Sequence, residues 1–457
     1  MKYTPSEIAD ILKCEAHIFN PDAAVMYLST DTRTILYPTD TLFFAITTKS
    51  ASGEQFIESA YKAGVRNFVT TSKPDSITDA NFFITQNTVE ALQKLAAHHR
   101  TRFNIPVIGI TGSNGKTIVK EWLYAAIGTS FRITRSPKSF NSQIGVPLSV
   151  WELEDYSTLG IFEAGISQKG EMEKLETIIK PTIGIFTNLG KAHSEGFASD
   201  DEKLNEKLKL FSHSEALIFK NSSKVSNAIK RINPDINLIS WGVNDPAATV
   251  NITKIRKSSG TSELTYVCKG AEGHCTVCFT DDISLQNAIQ CLVCGIYLGV
   301  PVKLDTLEPV AMRLEVKTGI NGCQIIDDAY SNDLSSLTEA LNLMDAFSKL
   351  NFEKRTLIIS DIRQSGLDGD TLYTQVSSLV RQKKINRIIA VGRDLCSHKE
   401  FFPLSTQFFQ TTDELLASAP KFENEIILIK GARHFRFERI VNLLEQKRHQ
   451  TVMEVNL

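Results

Sequence analysis

Short, largely apolar runs alternate with stretches of helical period through the middle of the chain, which predicts a parallel sheet joined by crossover helices. The runs cover residues 106–110, 158–163, 182–188 and 216–220. From residue 249 the pattern changes to alternating polar and apolar positions over 249–255, 263–268 and 274–280, between glycine-containing turns. A period of two predicts antiparallel strands, here extending one edge of the sheet. Beyond about residue 313, apolar runs at 355–361, 387–392 and 425–430 return with helical stretches between them, a second doubly wound pattern. The chain begins with a helix near 5–12, strand-like segments at 34–36 and 42–46, then a helix and a strand ending at Val69. The predicted class is α/β in three domains. A small N-terminal α/β module spans 1–85, a central parallel-sheet domain with an antiparallel extension spans 86–311, and a Rossmann-like C-terminal domain spans 312–457.

Length agrees, since 457 residues suit about three domains. With 42% hydrophobic residues the composition is globular, and a net charge of -2 with 22% charged residues shows no basic excess. That argues against a dedicated nucleic-acid binder and leaves local sites for small anions. Met1-Lys2-Tyr3-Thr4-Pro5-Ser6 lacks a signal pattern, and no stretch approaches the roughly 20 apolar residues that span a bilayer. A cytoplasmic location without membrane insertion is expected. Eight cysteines include the pairs Cys275/Cys278 and Cys291/Cys294, whose spacing resembles zinc knuckles. The first pair lies in a strand-like run where positions three apart face opposite sides, and the second in an apolar helical stretch. Buried apolar thiols are the expected reading.

Thr111-Gly112-Ser113-Asn114-Gly115-Lys116-Thr117 follows the apolar run at 106–110 and reads as a phosphate-binding loop between a strand and a helix. Small residues let backbone N–H groups turn inward around phosphate oxygens, Lys116 adds a point charge, and the Thr117 hydroxyl can hold Mg2+ at the positive end of the helix. ATP is the implied ligand, with Gly112, Ser113, Asn114, Gly115, Lys116 and Thr117 as its binding residues. The usual glycine slot is occupied by Ile110, with Gly109 one place early.

Glu163 and the segment 187–193 fall where apolar strands end, and the carboxyl ends of parallel strands are where an open α/β sheet binds ligands. Phosphoryl transfer needs Mg2+ to neutralise phosphoryl oxygens, and Glu163 is a natural hard ligand for it.

Three segments bring a family into view: the loop itself with its displaced glycine, Asn141-Ser142-Gln143-Ile144-Gly145-Val146-Pro147, and Thr187-Asn188-Leu189-Gly190-Lys191-Ala192-His193-Ser194-Glu195. In these the chain resembles the Mur ligases, ATP-dependent amide-forming enzymes of peptidoglycan synthesis, over its whole length. Within that family the segments 163–171, 312–315 and 326–336 are similar to the branch that joins D-alanyl-D-alanine to UDP-N-acetylmuramoyl-tripeptide. Asp31-Thr32-Arg33 and 42–46 resemble its uridine-nucleotide module.

The resemblance implies formation of an acyl phosphate from the tripeptide carboxylate and ATP, then attack by the dipeptide amine. It implies Lys116, Glu163, His193 and Lys207 as catalytic groups. Thr117 and Glu163 would hold one Mg2+, and His193 with a carbamylated Lys207 a second. Lys207 is chosen because it stands four residues before Phe211, with Lys203 and Lys209 as competitors. Further contacts to ATP fall on Asn287, Arg313 and Asp328, and substrate contacts on Thr32, Arg33, Asn141, Lys430 and Arg433. Two positions depart from the family pattern: Gln290 stands where a second asparagine is usual, and Ser331-Asn332-Asp333-Leu334 replaces Asn-Ala-Asn-Pro after Asp327, Asp328 and Tyr330. Ligands drawn from all three domains imply closure about a hinge at 311–314. The strand-like end, 451–457, resembles the opening strand of an alanine racemase domain, which implies a ligase fused to a C-terminal racemase. Other Mur-type or folylpolyglutamate-type ligases, and a silent nucleotide-binding scaffold, are the competing readings.

Overall fold

The structure, a computed structural model, describes residues 1–47, 52–190, 197–258, 260–308, 315–329, 332–347, 352, 354–362, 367–432 and 435–445. They form two compact units, Met1–Leu189 with Ser199–Glu308, and Gly190–Ala198 with Pro309–Leu457. His193, Arg313, Tyr330, Ser331, Arg433, the hinge at 311–314 and the terminal run 451–457 lie outside the described residues.

The first unit carries two sheets. Its opening helix, Pro5–Leu12, starts where expected because Thr4 and Glu7 form a reciprocal capping box. The smaller sheet orders its strands Glu15–His17, Asn81–Ile84, Asn67–Thr70, Thr41–Phe44 and Tyr27–Ser29, all parallel except the Glu15–His17 edge. The strand expected at 34–36 is absent. Residues Thr32–Thr34 form a 3-10 turn instead, because the Asp31 carboxylate accepts from Arg33 N and curls the backbone. Leu36, 82% exposed, has no sheet face to bury.

The larger sheet has nine strands in the order Ala271–Val277, Ser262–Cys268, Val250–Lys257, Asn237–Val243, Ala216–Lys220, Ile183–Phe186, Val107–Thr111, Leu159–Glu163 and Ile133–Arg135. Pairing is parallel from Val250–Lys257 onward and antiparallel in the hairpin beyond it, so the change of hydrophobic period marks the change of strand direction. The strands flanking the phosphate loop are buried at every position, as a sheet covered by helices on both faces requires.

The two sheets of this unit meet through a buried polar joint. Buried His99 bonds Tyr3 Oη through Nδ1 at 3.0 Å and the Leu153 carbonyl through Nε2 at 3.0 Å, so the ring is neutral with its proton on Nε2. Trp151 stacks close to both rings and donates Nε1–H to Met26 O at 2.8 Å.

The second unit is one six-stranded sheet in the order Glu315–Thr318, Gln324–Asp328, Glu425–Lys430, Lys354–Ser360, Arg387–Val391 and Gln407–Phe409, antiparallel only at the first edge. Side chains alternate between two cores. Leu357, Ile359 and Leu428 pack against helices Leu334–Phe347 and Gly369–Gln382, while Ile358, Ile389 and Ile429 pack with Leu415 and with helix Glu438–Leu444. Among the described residues no helix is long and apolar enough to cross a membrane.

Candidate active site

The helix Lys116–Ile127 begins at Gly115, whose φ of 82° lies in the left-handed region and whose Cα faces Asn287 closely enough that a Cβ would come within 2.6 Å of Asn287 Oδ1. Gly112, at φ 146°, lies against Thr187 and Asn188, where a side chain would overlap the Thr187 hydroxyl. These two glycines let the loop pass between the ends of neighbouring strands. The loop amides differ from expectation. Ser113 N donates to Asn188 O at 2.9 Å and Asn114 N to Asn188 Oδ1 at 3.0 Å, while the Thr187 hydroxyl donates to Asn114 O at 2.5 Å. The residues after strand Ile183–Phe186 therefore brace the loop. The first turn of any helix has N–H groups without an intrahelical acceptor, at the positive end of the helix dipole.

Two buried lysines converge on one carbonyl. Lys116 Nζ lies 2.9 Å from Gly112 O and 3.3 Å from Ser113 O, and Lys207 Nζ lies 3.2 Å from the same Gly112 O. Lys207 projects from helix Asp200–Leu208, which Ser199 caps. Burial, reinforced by the charges of Lys116 and Lys203, pushes the Lys207 amine well below its ordinary pKa. A neutral amine is the form that adds carbon dioxide. Lys209 turns instead to Glu173 at 2.8 Å and Glu206 at 2.9 Å, and Lys203 is buried.

Glu163 ends strand Leu159–Glu163 and is wholly buried. Its Oε2 accepts from the Thr117 hydroxyl at 3.0 Å and, more distantly, from Asn141 Nδ2 at 3.4 Å. Its Oε1 faces Lys120 Nζ at 3.0 Å, as an ion pair outside hydrogen-bonding angle. The donors suit Mg2+, which takes hard oxygen ligands at 2.0–2.1 Å in an octahedron whose edge is about 3 Å, the separation seen between Thr117 Oγ1 and Glu163 Oε2. Among the described residues no three His, Cys, Asp or Glu side chains gather as a metal site, and His193 lies outside them.

The sequence reading passed over Lys120. Its signal was present: Lys120 lies one turn after Lys116 and beside Val119 and Leu123 on the apolar face of the loop helix, where a lysine is out of place unless paired. Asn188, Thr187 and Gln290 were also missed as loop supports. Gln290 Nε2 donates to Thr187 O at 3.1 Å from helix Asp282–Leu298. The neighbouring Asn287 Nδ2 is buried with no hydrogen-bond partner among the described residues, which leaves a donor beside the loop. Cys291 and Cys294 are wholly buried in the same helix, and burial pushes the Cys294 thiol up to about 12.

The remaining candidates divide between the units. In the first, Arg33 is 86% exposed and is tethered by Asp31, with Arg33 Nη2 2.6 Å from Asp31 Oδ2, and Thr32 shares its 3-10 turn. In the second, Lys430 and Asp328 end adjacent parallel strands and meet each other, Nζ to Oδ2 at 2.6 Å, both almost fully buried. In the segment that departs from Asn-Ala-Asn-Pro, Asn332 Nδ2 donates to Ser360 O at 2.6 Å and Asp333 accepts from Ser336 N at 3.0 Å, so these polar groups secure strand and helix ends.

Residues 110–295 match the Mur ligase middle domain. Among its relatives, the UDP-N-acetylmuramoyl-tripeptide--D-alanyl-D-alanine ligase of Bacillus subtilis (strain 168) is 26% identical, covering 96% of this chain and 98% of that one. The enzyme of the same name from Borreliella burgdorferi is also 26% identical, with 96% and 99% covered. In fold the chain is similar to MurF from Acinetobacter baumannii, with a TM-score of 0.77, 20% identity, and 97% and 98% of the two chains covered.

Proposed function

We propose that this protein is an ATP-dependent peptide ligase that joins D-alanyl-D-alanine to UDP-N-acetylmuramoyl-tripeptide, yielding ADP and phosphate, in the synthesis of peptidoglycan precursor. Full-length similarity to enzymes of that name supports the substrates. The observation that carries the chemistry is the Thr117 hydroxyl 3.0 Å from the Glu163 carboxylate, one residue after Lys116 at a helix N-terminus.

The reaction runs in two displacements. A carboxylate oxygen of the tripeptide attacks the γ-phosphorus of ATP and ADP leaves, giving an acyl phosphate. The dipeptide amine then attacks the acyl carbon, loses a proton, and phosphate leaves with the former carboxylate oxygen. Lys116 moves from the loop carbonyls to the β- and γ-phosphates, and the helix start binds phosphate oxygens through its N–H groups. Thr117 and Glu163 would hold Mg2+, which would supply positive charge at the phosphoryl oxygens. Lys207, as a carbamate, and His193 would hold a second ion, and Asn141 would face the acyl group from beside Glu163. Catalysis is then positioning and charge stabilisation rather than covalent work by the protein.

The division of labour follows the sequence. Residues 1–85 bind the uridine nucleotide through Thr32 and Arg33, 86–311 bind ATP with Asn287 beside the loop, and 312–457 contribute Arg313, Asp328, Lys430 and Arg433 to ATP and dipeptide. A cytoplasmic setting fits nucleotide-linked substrates. The racemase fusion rests on the run 451–457 alone, and the two relatives described above are matched almost to their full length without such a domain.

The test is phosphate release over a substrate panel. Release that needs both D-alanyl-D-alanine and UDP-N-acetylmuramoyl-tripeptide is expected. Release driven by a folate and glutamate, by a single amino acid, or by no substrate would reject the proposal.

A further inference from the structure

Lys120 has no part in the reaction as drawn, yet its charge is as completely enclosed as that of Glu163. Its side chain is 0% exposed, on the loop helix one turn beyond Lys116. The ammonium donates to Ser136 O at 2.7 Å and to Lys138 O, and it lies 3.0 Å from Glu121 Oε1 as well as 3.0 Å from Glu163 Oε1. Glu121 is held in turn by Arg135 Nε at 3.0 Å, and Glu163 N donates to Ser136 Oγ at 3.2 Å. Lys120 is thus anchored from both sides of Glu163, by the loop helix and by the segment after strand Ile133–Arg135. It cannot swing away without leaving the buried Ser136 carbonyl unsatisfied and giving up its bond to Lys138 O.

The consequence falls on one carboxylate. An ammonium beside Oε1 repels a divalent cation from that oxygen, while Oε2 points to the Thr117 hydroxyl. Glu163 can then offer a metal only one oxygen. Mg2+ accepts single-oxygen carboxylate ligands in a tight octahedron, whereas Ca2+ takes 6–8 oxygens at 2.3–2.6 Å and readily uses both oxygens of a carboxylate. We propose that Lys120 is a positioning residue that holds Glu163 as a one-oxygen ligand and so sets the preference of the nucleotide site for Mg2+ over larger cations. The inference rests on the reading of Thr117 and Glu163 as metal ligands.

Removing the ammonium has two effects of different kind. Loss of a nearby positive charge strengthens binding of every divalent cation, so absolute affinity does not isolate the geometry. The ratio between two ions does. Mn2+ bound to the full-length protein with ADP is displaced by Mg2+ or by Ca2+ and followed by electron paramagnetic resonance, for the native protein, Lys120→Met and Glu163→Gln. Lys120→Met is expected to shift the displacement ratio toward Ca2+ by about tenfold, because both Glu163 oxygens become available. An unchanged ratio would overturn the inference. Should Lys120→Met be too unstable without metal, its thermal midpoint with ADP and saturating Mg2+ is compared with that in ADP and Ca2+. A native-like gap between the two midpoints counts against the inference, and a narrowed or reversed gap supports it. Glu163→Gln separates the two layers of argument: weakened Mn2+ binding keeps Glu163 as a ligand whatever Lys120 does, and undiminished Mn2+ binding removes the ligand reading and the inference together.

Discussion

Each of the two larger sheets carries a buried lysine–carboxylate pair at the carboxyl ends of its strands, and the pairs are built differently. In the nine-stranded sheet the lysine comes from a helix: Lys120 meets one oxygen of Glu163, and Thr117 and Asn141 share the other. In the six-stranded sheet both partners are strand ends. Lys430 and Asp328 sit opposite each other in register, and Gly431 N donates to Asp328 O at 3.1 Å just beyond them. The first arrangement keeps a carboxylate oxygen aimed at a phosphate loop. The second ties two neighbouring strands where the chain turns into Lys430-Gly431-Ala432. A buried ion pair gives little net stability over apolar packing but is costly to break, so each pair marks a place where geometry matters more than burial.

The largest effect is expected where the first sheet does its chemistry. Lys116→Ala should lower kcat for phosphate release by about 10^3-fold, in the range found when a single charge-stabilising donor is removed from a transition state. Little loss of kcat would mean that the loop is a structural turn. Next comes the second pair. Lys430→Met leaves the Asp328 carboxylate buried without its cation and should destabilise the unit by about 3–5 kcal/mol, read from denaturant unfolding. A stability loss under about 1 kcal/mol would show that the strand-end tie is dispensable.

The joint between the sheets of the first unit gives a pH test of similar size. Burial lowers the His99 pKa from 6.5 to about 4, against the opposing hydrogen bond that the ring donates to the Leu153 carbonyl. The folded state therefore binds fewer protons than the unfolded state between those values. The stability tied to neutral His99 is complete above pH 6.5 and is lost as pH falls toward about 4, roughly 3 kcal/mol in all. Unfolding measured from pH 7 to 4 should show this fall, and His99→Gln should flatten it by one proton. The smallest effect expected is at Gly112, where Ala faces the Thr187 hydroxyl at φ 146° and should cost about 1–3 kcal/mol of stability, with weaker ADP binding measured by calorimetry.

The sequence made the core of each parallel sheet legible because strands buried on both faces are written as apolar runs, as at Val107–Thr111 and Glu425–Lys430. Tyr27–Ser29 and Ile133–Arg135 escaped notice because three-residue, half-exposed strands carry no such run. The strand predicted at 34–36 does not form, because Ile35 and Leu36 are apolar but Asp31 offers the backbone a local hydrogen bond that curls it. At the site, the placing of Lys116, Thr117 and Glu163 together was readable because it follows from a loop and a strand end. Lys120 was legible only as a lysine on the apolar face of the loop helix; its partner was not, and the bracing of the loop by Asn188 depends on which strand lies beside it.

The central claim is that Lys116, Thr117 and Glu163 activate a carboxylate as an acyl phosphate. Tripeptide substrate carrying oxygen-18 in its reacting carboxyl group tests this most directly when the released phosphate is analysed by mass spectrometry after one turnover with D-alanyl-D-alanine. The account predicts a single labelled oxygen in each phosphate formed from the fully labelled carboxyl group. Unlabelled phosphate accompanying ligated product would contradict it.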